Sequence, residues 1–181
     1  EAAGIDGMFS SFVQLVGHNG GVNQVVWGPH NNLIATAGDD GNLIIWDAIT
    51  GEKINVIQIT PINATMTNTD RIVWSLTWSP DGSSIATGSG DGFIRILDVD
   101  NGEIIIEIKG HDQFITYLDW APYEERLIST STDGKARTWS VTRDNMLFSL
   151  PYGFAYADWS PDGKQFAVGN LTNHMELQSD L

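Results

Sequence analysis

The stretch that decides the fold runs from Gly17 to Asp47 and reads GHNGGVNQVVWGPHNNLIATAGDDGNLIIWD. Three short apolar runs, rich in β-branched and aromatic residues, alternate with turn residues, and this composition suits half-buried strands. Asp40-Gly41 lies between the second and third runs. It favours a tight hairpin, because glycine accepts the positive φ that such turns need. The stretch therefore predicts an antiparallel meander, with Lys53–Gln58 as its fourth strand.

The same unit recurs along the chain. A tryptophan ends the first run of every repeat, at Trp27, Trp78, Trp120 and Trp159, so that successive tryptophans are 51, 42 and 39 residues apart. A turn containing proline follows each tryptophan, and an Asp-Gly pair precedes the third run of the first three repeats. A period near 40 residues with four short strands is typical of the blades of a β-propeller.

The sequence marks at the ends of two repeats resemble a known family. Gly17-His18 with Trp46-Asp47, and Gly110-His111 with Trp139-Ser140, resemble the Gly-His and Trp-Asp marks of the WD-repeat β-propeller family. The resemblance runs from about Phe12 to Leu177. It implies an all-β fold, a β-propeller of four-stranded antiparallel blades. About four repeats are visible, which implies a partial ring or half of a larger ring.

The repeats divide the chain into six consecutive segments. They are 1–16 (N-terminal tail and outer strand of a blade), 17–58 (WD-repeat blade), 59–70 (loop insertion), 71–109 (degenerate WD-repeat blade), 110–149 (WD-repeat blade) and 150–181 (degenerate, incomplete blade). The last segment lacks a fourth strand, and Met8–Val16 is a strand of the missing kind. Two alternatives stay open: this strand completes the last blade, or it belongs to a preceding blade.

Composition limits the classes of partner. The net charge of −14 and the pI near 4.3 disfavour nucleic acid and anionic membranes, which are both polyanions. The absence of cysteine excludes disulfides and thiolate metal sites. No apolar run approaches the ~20 residues of a membrane span. We therefore predict protein partners, no cofactor and no metal, and the family resemblance favours the cytoplasm.

The family resemblance also implies two hydrogen-bonded tetrads. They are His18, Thr36, Asp40 and Trp46 in the first repeat, and His111, Ser129, Asp133 and Trp139 in the third. In each, the Asp accepts from the imidazole, the imidazole bonds the hydroxyl, and the hydroxyl meets the indole N–H. A connected buried network fixes strand register. A Ser-His-Asp set also suggests nucleophilic catalysis, but its repetition in two blades, each closed by a tryptophan, favours a structural role.

The other two repeats depart from this pattern. The second has Thr69 in place of His and Leu97 in place of Trp, but keeps Thr87 and Asp91. The fourth repeat is predicted to carry an apolar residue at every one of the four positions, namely Leu150, Ala167, Leu171 and Leu177. Replacing a whole polar network by apolar residues can be neutral for stability.

The family register also predicts which residues ring the top face of the propeller. The predicted partner-binding residues are Asn23, Asp39, Ile72, Trp74, Phe114, Thr116, Thr132, Tyr152 and Phe154. Trp74 and Phe114 are large and apolar for exposed positions, and aromatic residues are enriched in binding hot spots. The alternative is that both side chains pack between blades.

We therefore expect a non-catalytic scaffold that mediates protein–protein interaction through the top face. A first alternative is a sensor or regulatory propeller within a larger multidomain signalling protein. A second is an enzyme that uses the central channel, although only Asp119 and Asp158 are charged among the first strands. Self-association is a further expectation, with Met8–Val16 beside Met175–Gln178 of a second copy, unless additional blades lie in a longer chain.

Overall fold

The computed structural model describes residues 13–30, 32–59, 67–142, 145–151, 154–170 and 175–179, and their regular structure consists of fifteen β-strands. The first blade contains β1 (Val22–Trp27), β2 (Leu33–Gly38), β3 (Asn42–Asp47) and β4 (Lys53–Gln58). The second contains β5 (Val73–Trp78), β6 (Ser84–Ser89), β7 (Phe93–Asp98) and β8 (Ile104–Lys109). The third contains β9 (Ile115–Trp120), β10 (Arg126–Ser131), β11 (Ala136–Ser140) and β12 (Asn145–Leu150). The fourth contains β13 (Phe154–Trp159), β14 (Gln165–Asn170) and β15 (Met175–Ser179).

Every strand pairs antiparallel with its neighbour in sequence, so each blade is a simple meander. Three sheets have four strands and the last has three among the described residues. The hairpin glycines Gly41, Gly92 and Gly134 adopt φ of 77°, 76° and 80°, the conformation that the Asp-Gly pairs predict. The structure thus confirms the predicted all-β fold of antiparallel blades.

The hydrophobic core lies in layers between consecutive blades. Ile45 of the first blade packs in one cluster with Leu76 and Trp78 of the second, and the same arrangement recurs at the next two junctions. Burying one large apolar side chain contributes roughly 1.5–3 kcal/mol. Each blade is therefore stabilised mainly by packing against the blades next to it.

Side chains of the innermost strands also link one blade to the next. In each case a side-chain oxygen accepts a hydrogen bond from a backbone N–H of the following blade. The bonds are Leu76 N to Gln24 Oε1 at 2.8 Å, Leu118 N to Ser75 Oγ at 2.8 Å, and Trp159 N to Asp119 Oδ2 at 2.9 Å. These bonds set the height of each blade against its neighbour. Gln24 and Ser75 are not recognisable in the sequence, because nothing local marks a hydrogen bond that crosses between repeats.

The predicted N-terminal strand, Met8–Val16, is not formed over its described part. Residues 13–16 lie outside any strand, and residues 8–12 lie outside the described residues. Val13 instead packs on Gly51, in the β3–β4 turn of the first blade. For residues 13–16 the prediction of a strand is therefore wrong, because this segment crosses a turn of the first blade.

The fourth blade differs from its prediction by one residue of register. The pairing of β14 places Val168, and not Ala167, at the position that Thr36 holds in the first blade. The same pairing places Gln178, and not Leu177, at the tryptophan position. The predicted assignment is wrong because no Asp-Gly pair anchors the β14–β15 connection. A slip of one residue moves a side chain to the other face of the sheet.

Candidate functional site

The first tetrad lies at the end of the molecule that carries the β2–β3, β6–β7 and β10–β11 turns, here called the upper rim. The Nδ1 atom of His18 lies 3.0 Å from Asp40 Oδ1, its Nε2 atom lies 2.8 Å from Thr36 Oγ1, and Trp46 Nε1 donates to the same hydroxyl at 2.8 Å. Although burial raises the pKa of Asp40, hydrogen bonds from Asn19 N and His18 hold it below its ordinary value. All four residues are thus brought together.

The second tetrad, in the third blade, has the same geometry. His111 Nδ1 lies 3.0 Å from Asp133 Oδ2, its Nε2 lies 2.7 Å from Ser129 Oγ, and Trp139 Nε1 donates to that hydroxyl at 2.8 Å. Burial lowers the pKa of His111 to about 4, against the opposing effect of Asp133, so the imidazole is neutral at pH 7. Because the carboxylate accepts, the proton of the neutral ring belongs on Nδ1, and Nε2 accepts from Ser129.

An arginine joins this second tetrad. Arg137 Nη1 donates to Asp133 Oδ2 at 3.1 Å and to the carbonyl oxygen of Gly110. Burial raises the pKa of Asp133, but the interactions with His111 and, to a smaller extent, the charge of Arg137 hold it below its ordinary value. The charge of Arg137 also adds to the effect of burial in lowering the pKa of His111. Arg137 pairs across the sheet with Ser129. In sequence it follows the turn aspartate, Asp133, by four residues. Arg137 was not among the residues predicted for this site.

The second blade has a different network at the same place. Arg95, only 2% exposed, donates to Asp91 through two nitrogens at 2.8 and 3.2 Å, and its Nε donates to Glu107 Oε2 at 2.6 Å. Thr69 occupies the position that histidine holds in the two tetrads, and its hydroxyl forms a hydrogen bond with the hydroxyl of Thr67. A sequence signal for Arg95 exists, since it is a charged residue inside an apolar strand, four residues after the turn aspartate.

Two of the predicted rim residues stack across a blade junction. The rings of Trp74, in the second blade, and Phe114, just before the third, lie 6.4 Å apart between centroids with an interplanar angle of 17°. Both side chains are half-buried. The Nε1 atom of Trp74 is buried and has no hydrogen-bond partner within the described part of the chain. The stack is thus partly solvent-facing, with one donor still unsatisfied.

Asn23 and Asp39 form a polar part of the rim above the first blade. Asn23 Nδ2 lies 3.0 Å from Asp39 Oδ1 and 3.2 Å from the carbonyl oxygen of Val73. Gly21 N donates to the other carboxylate oxygen of Asp39 at 3.2 Å. Asn23 and Asp39 are exposed, so their remaining hydrogen-bonding capacity faces solvent.

The remaining predicted rim residues are more dispersed. Thr116 shares a hydrogen bond of 2.9 Å with Thr130, and exposed Thr132 donates its backbone N–H to Phe114. Ile72 is half-buried. Tyr152 lies outside the described residues. Phe154 is described only through its backbone, which pairs with Asn170.

A cavity of about 430 Å³ opens beside the aromatic stack. Phe114 forms one wall, and Asp70, Asp91, Lys109 and Asp112 contribute the charged groups of its lining. The Asp112 side chain is largely exposed and lies 3.8 Å from Lys135 at its nearest approach. The rim therefore combines an apolar wall with carboxylates.

The two charged residues of the innermost strands lie together at the junction of the third and fourth blades. Burial raises the pKa of Asp119 to about 6, against the hydrogen bond from Trp159 N, and the neighbouring Asp158 carboxyl raises it further. Asp158 is exposed. Among the described residues, no group of three or more His, Cys, Asp or Glu side chains is placed to hold a metal ion. These described residues also include no helix with the length and apolar character needed to cross a bilayer.

Comparison with known proteins agrees with this architecture. A family model for a β-propeller, described as Nucleolar protein 10-like, N-terminal domain, matches residues 5–160. Guanine nucleotide-binding protein subunit beta from Oryza sativa subsp. indica is 30% identical over 138 residues, covering 71% of this chain and 33% of that protein. The Arabidopsis thaliana protein of the same name is also 30% identical, with 34% of its length covered. The chain thus spans about a third of the length of these relatives. It belongs to the WD-repeat β-propeller family.

Proposed function

We propose that the chain is a non-catalytic scaffold that binds a protein partner through its upper rim. The observation that carries the proposal is the stack of Trp74 on Phe114. Hot spots of protein interfaces are enriched in aromatic side chains, which bring large area at low entropic cost. The unsatisfied indole N–H of Trp74 supports the same proposal, because a carbonyl oxygen of a partner would satisfy it.

The charges around the stack favour a particular kind of partner. Asp39 and Asp112 are exposed on the upper rim, and the whole chain has a net charge of −14. Charge complementarity steers association and suppresses like-charged partners. We therefore propose a partner segment that combines Lys or Arg with a large apolar anchor.

The tetrads support a structural and not a catalytic role. Ser129 is fully buried and its Oγ atom already contacts His111 and Trp139. A nucleophile has to reach a reacting atom of the substrate, and no substrate reaches a hydroxyl that is enclosed in this way. Thr36 of the first tetrad is likewise buried and bonded to Trp46. The networks are therefore proposed to hold the upper turns against the strands.

The relatives support the scaffold class and also favour a second candidate. By their names, the beta proteins of Oryza sativa and Arabidopsis thaliana are subunits, and thus parts of larger assemblies. The second candidate is accordingly a sensor or regulatory module of a larger signalling protein. Sequencing the coding region on both sides would decide it. A catalytic domain in the same reading frame would establish the module, and its absence would leave the separate scaffold.

A peptide-display selection tests the rim. The immobilised chain is offered a random peptide library, and enriched peptides are then measured by fluorescence anisotropy against single variants. We expect Lys or Arg beside a large apolar residue. Trp74→Ala and Phe114→Ala should each weaken binding by ~1 kcal/mol or more, that is, about fivefold or more in Kd.

The matched control is Tyr123→Ala. Tyr123 is a large, exposed aromatic residue in the β9–β10 turn, at the opposite end of the blades. It should leave peptide binding unchanged. Equal binding by all three variants would remove the rim as the site. Strong unfolding of both Trp74→Ala and Phe114→Ala in urea would show instead that these side chains belong to the core.

A further inference from the structure

The chain contains two Asn-Gly pairs, Asn19-Gly20 and Asn101-Gly102, and the structure places them in different surroundings. In such a pair the backbone nitrogen of the glycine can attack the side-chain amide of the asparagine, because the glycine has no Cβ to obstruct the approach. The reaction needs a glycine N–H that can lose its proton and an asparagine side chain that is free to turn towards it. The two pairs differ in both requirements.

The turn between β7 and β8 holds the second pair in an unreactive arrangement. Gly102 N donates to the carbonyl oxygen of Asp98 at 2.9 Å, which keeps the proton on the nitrogen. Asn101 Oδ1 accepts from Glu103 N at 2.7 Å, so the side chain is already fixed on another N–H. Asn101 is exposed, and its protection therefore comes from hydrogen bonds and not from burial. Both bonds have to break before Gly102 N can attack.

The first pair has neither restraint. Asn19 and Gly20 are both exposed. Among the described residues, neither the side-chain amide of Asn19 nor the backbone nitrogen of Gly20 forms a hydrogen bond. The backbone of Asn19 is nevertheless held, since its N–H donates to Asp40 Oδ2 at 2.8 Å. The loop is thus anchored, while both reacting groups face solvent.

The same exposure recurs where a preceding blade is present. Asp112 and Gln113 hold the equivalent positions in the third blade, one and two residues after the tetrad histidine. The second blade precedes them, and its turn residue Gly92 lies against the backbone of Gln113. The Asp112 side chain is still 79% exposed, and the N–H of Gln113 forms no hydrogen bond within the described part of the chain. A blade in front of the first one would therefore leave Asn19 accessible.

We propose that Asn19 is a site of spontaneous deamidation on the upper rim. The backbone nitrogen of Gly20 forms a bond to Cγ of Asn19, and the side-chain nitrogen leaves as ammonia, which gives a cyclic succinimide. Water then opens the ring at either carbonyl and yields aspartate or isoaspartate. One amide is exchanged for one carboxyl group, no electrons are transferred, and water is the only co-reactant.

The products change the charge of the rim. Either product places a carboxyl group beside Asp39 and Asp40, both of which accept hydrogen bonds from this loop. Isoaspartate also lengthens the main chain by one carbon atom, which displaces Gly21 N from the Asp39 carboxylate. The modification thus alters the surface that the proposed function assigns to a cationic partner, but its chemistry does not depend on that function.

Peptide mapping by mass spectrometry, after incubation of the folded 181-residue chain at mildly alkaline pH, tests the proposal. Deamidation should be faster at Asn19 than at Asn101 by about tenfold or more, because the hydrogen bonds of the second pair have to break first. In urea, where both pairs are unfolded, the two rates should converge. Asn19→Gln should remove the mass change from its peptide, and Asn101→Gln is the matched control that leaves the reaction at Asn19 unchanged.

Equal rates at the two pairs in the folded chain overturn the proposal, as does a faster rate at Asn101. So does a folded chain in which Asn19 stays intact over the time in which the unfolded chain reacts. A difference between the two rates that persists in urea would show that the neighbouring residues in sequence set it, and this result overturns the structural explanation.

Discussion

The second and third blades solve one structural problem with different side chains. In each, a turn aspartate of the upper rim lies largely buried and needs donors. In the third blade, His111 supplies the donor and Arg137 adds a second. In the second blade there is no histidine at this position, and Arg95 supplies two side-chain donors, beside the backbone N–H of Phe93. The buried carboxylate is thus common to both blades, while the side chain that donates to it differs.

The difference between the blades also concerns how much depends on a single residue. Arg95 and Arg137 hold equivalent positions, each opposite the hydroxyl residue of its blade. Arg95 is the main support of its carboxylate, whereas Arg137 shares that role with a histidine. Substitutions at these two positions should therefore have unequal effects on stability.

The largest effect is expected for Arg95→Ala. This change leaves Asp91 buried without its bidentate partner, and breaking a buried ion pair from one side costs about 3–5 kcal/mol. Urea denaturation followed by circular dichroism measures the loss. Arg126→Ala is the control, because its pair with Glu124 is partly exposed and should contribute less than about 1 kcal/mol. Similar small losses for both variants would show that Asp91 finds another donor.

His111→Ala should have the next largest effect. Removing the imidazole leaves Asp133 and Ser129 with fewer partners, at a cost of roughly 1–3 kcal/mol in the free energy of unfolding. The loss should stay below that of Arg95→Ala, because Arg137 still donates to Asp133. Peptide binding at the rim should be unchanged in the folded variant. An activity or binding loss at unchanged stability would contradict the structural assignment.

The pH dependence of stability should show two opposed contributions. His111 has its pKa lowered from 6.5 to about 4, so its stabilising effect is lost as pH falls through this range. Asp119 has its pKa raised from 3.8 to about 6, so its effect is lost as pH rises from about 4 to 6. Asp119→Asn should therefore make the loss of stability on acidification larger, by up to about 3 kcal/mol. Urea titrations at several pH values measure this, and parallel curves for the two proteins would contradict it.

The smallest effect is expected for Arg137→Met. The methionine keeps the length of the side chain, and His111 continues to donate to Asp133, so the loss should be below about 1 kcal/mol. Because the charge of Arg137 lowers the pKa of His111, that pKa should rise in the variant. Proton NMR of the imidazole gives the titration directly. A loss as large as that of Arg95→Ala would show that the two arginines are equivalent after all.

The periodic features of the fold were predictable from the sequence. Trp78 and Trp120 mark the strands that enter the core, and the Asp-Gly pairs mark the hairpins, because both signals are local. The tetrad contacts of His18 and His111 follow the family register. The sequence predicted that Trp74 and Phe114 both lie on the rim, but it did not predict that their rings stack.

The remaining features depend on contacts that no local pattern encodes. Gln24 and Ser75 bond the backbone of the next blade, at a distance of more than forty residues in sequence. Arg95 stands out in the sequence as a charged residue inside an apolar strand, but its bidentate pairing with the buried Asp91 is visible only in the structure. The register of the fourth blade was misjudged at Ala167, because that blade lacks the turn that anchors the others.

The pairing of each strand with its neighbours in sequence has a consequence for how the chain folds during synthesis. Ribosomes add about 5–20 residues per second, so a blade of some forty residues takes roughly 2–8 s to emerge. A β-hairpin forms in about 1–10 μs. Each meander can therefore pair its strands long before the next one is complete, but its apolar face is covered only when that next blade arrives. Native order should therefore spread from the first blade towards the fourth.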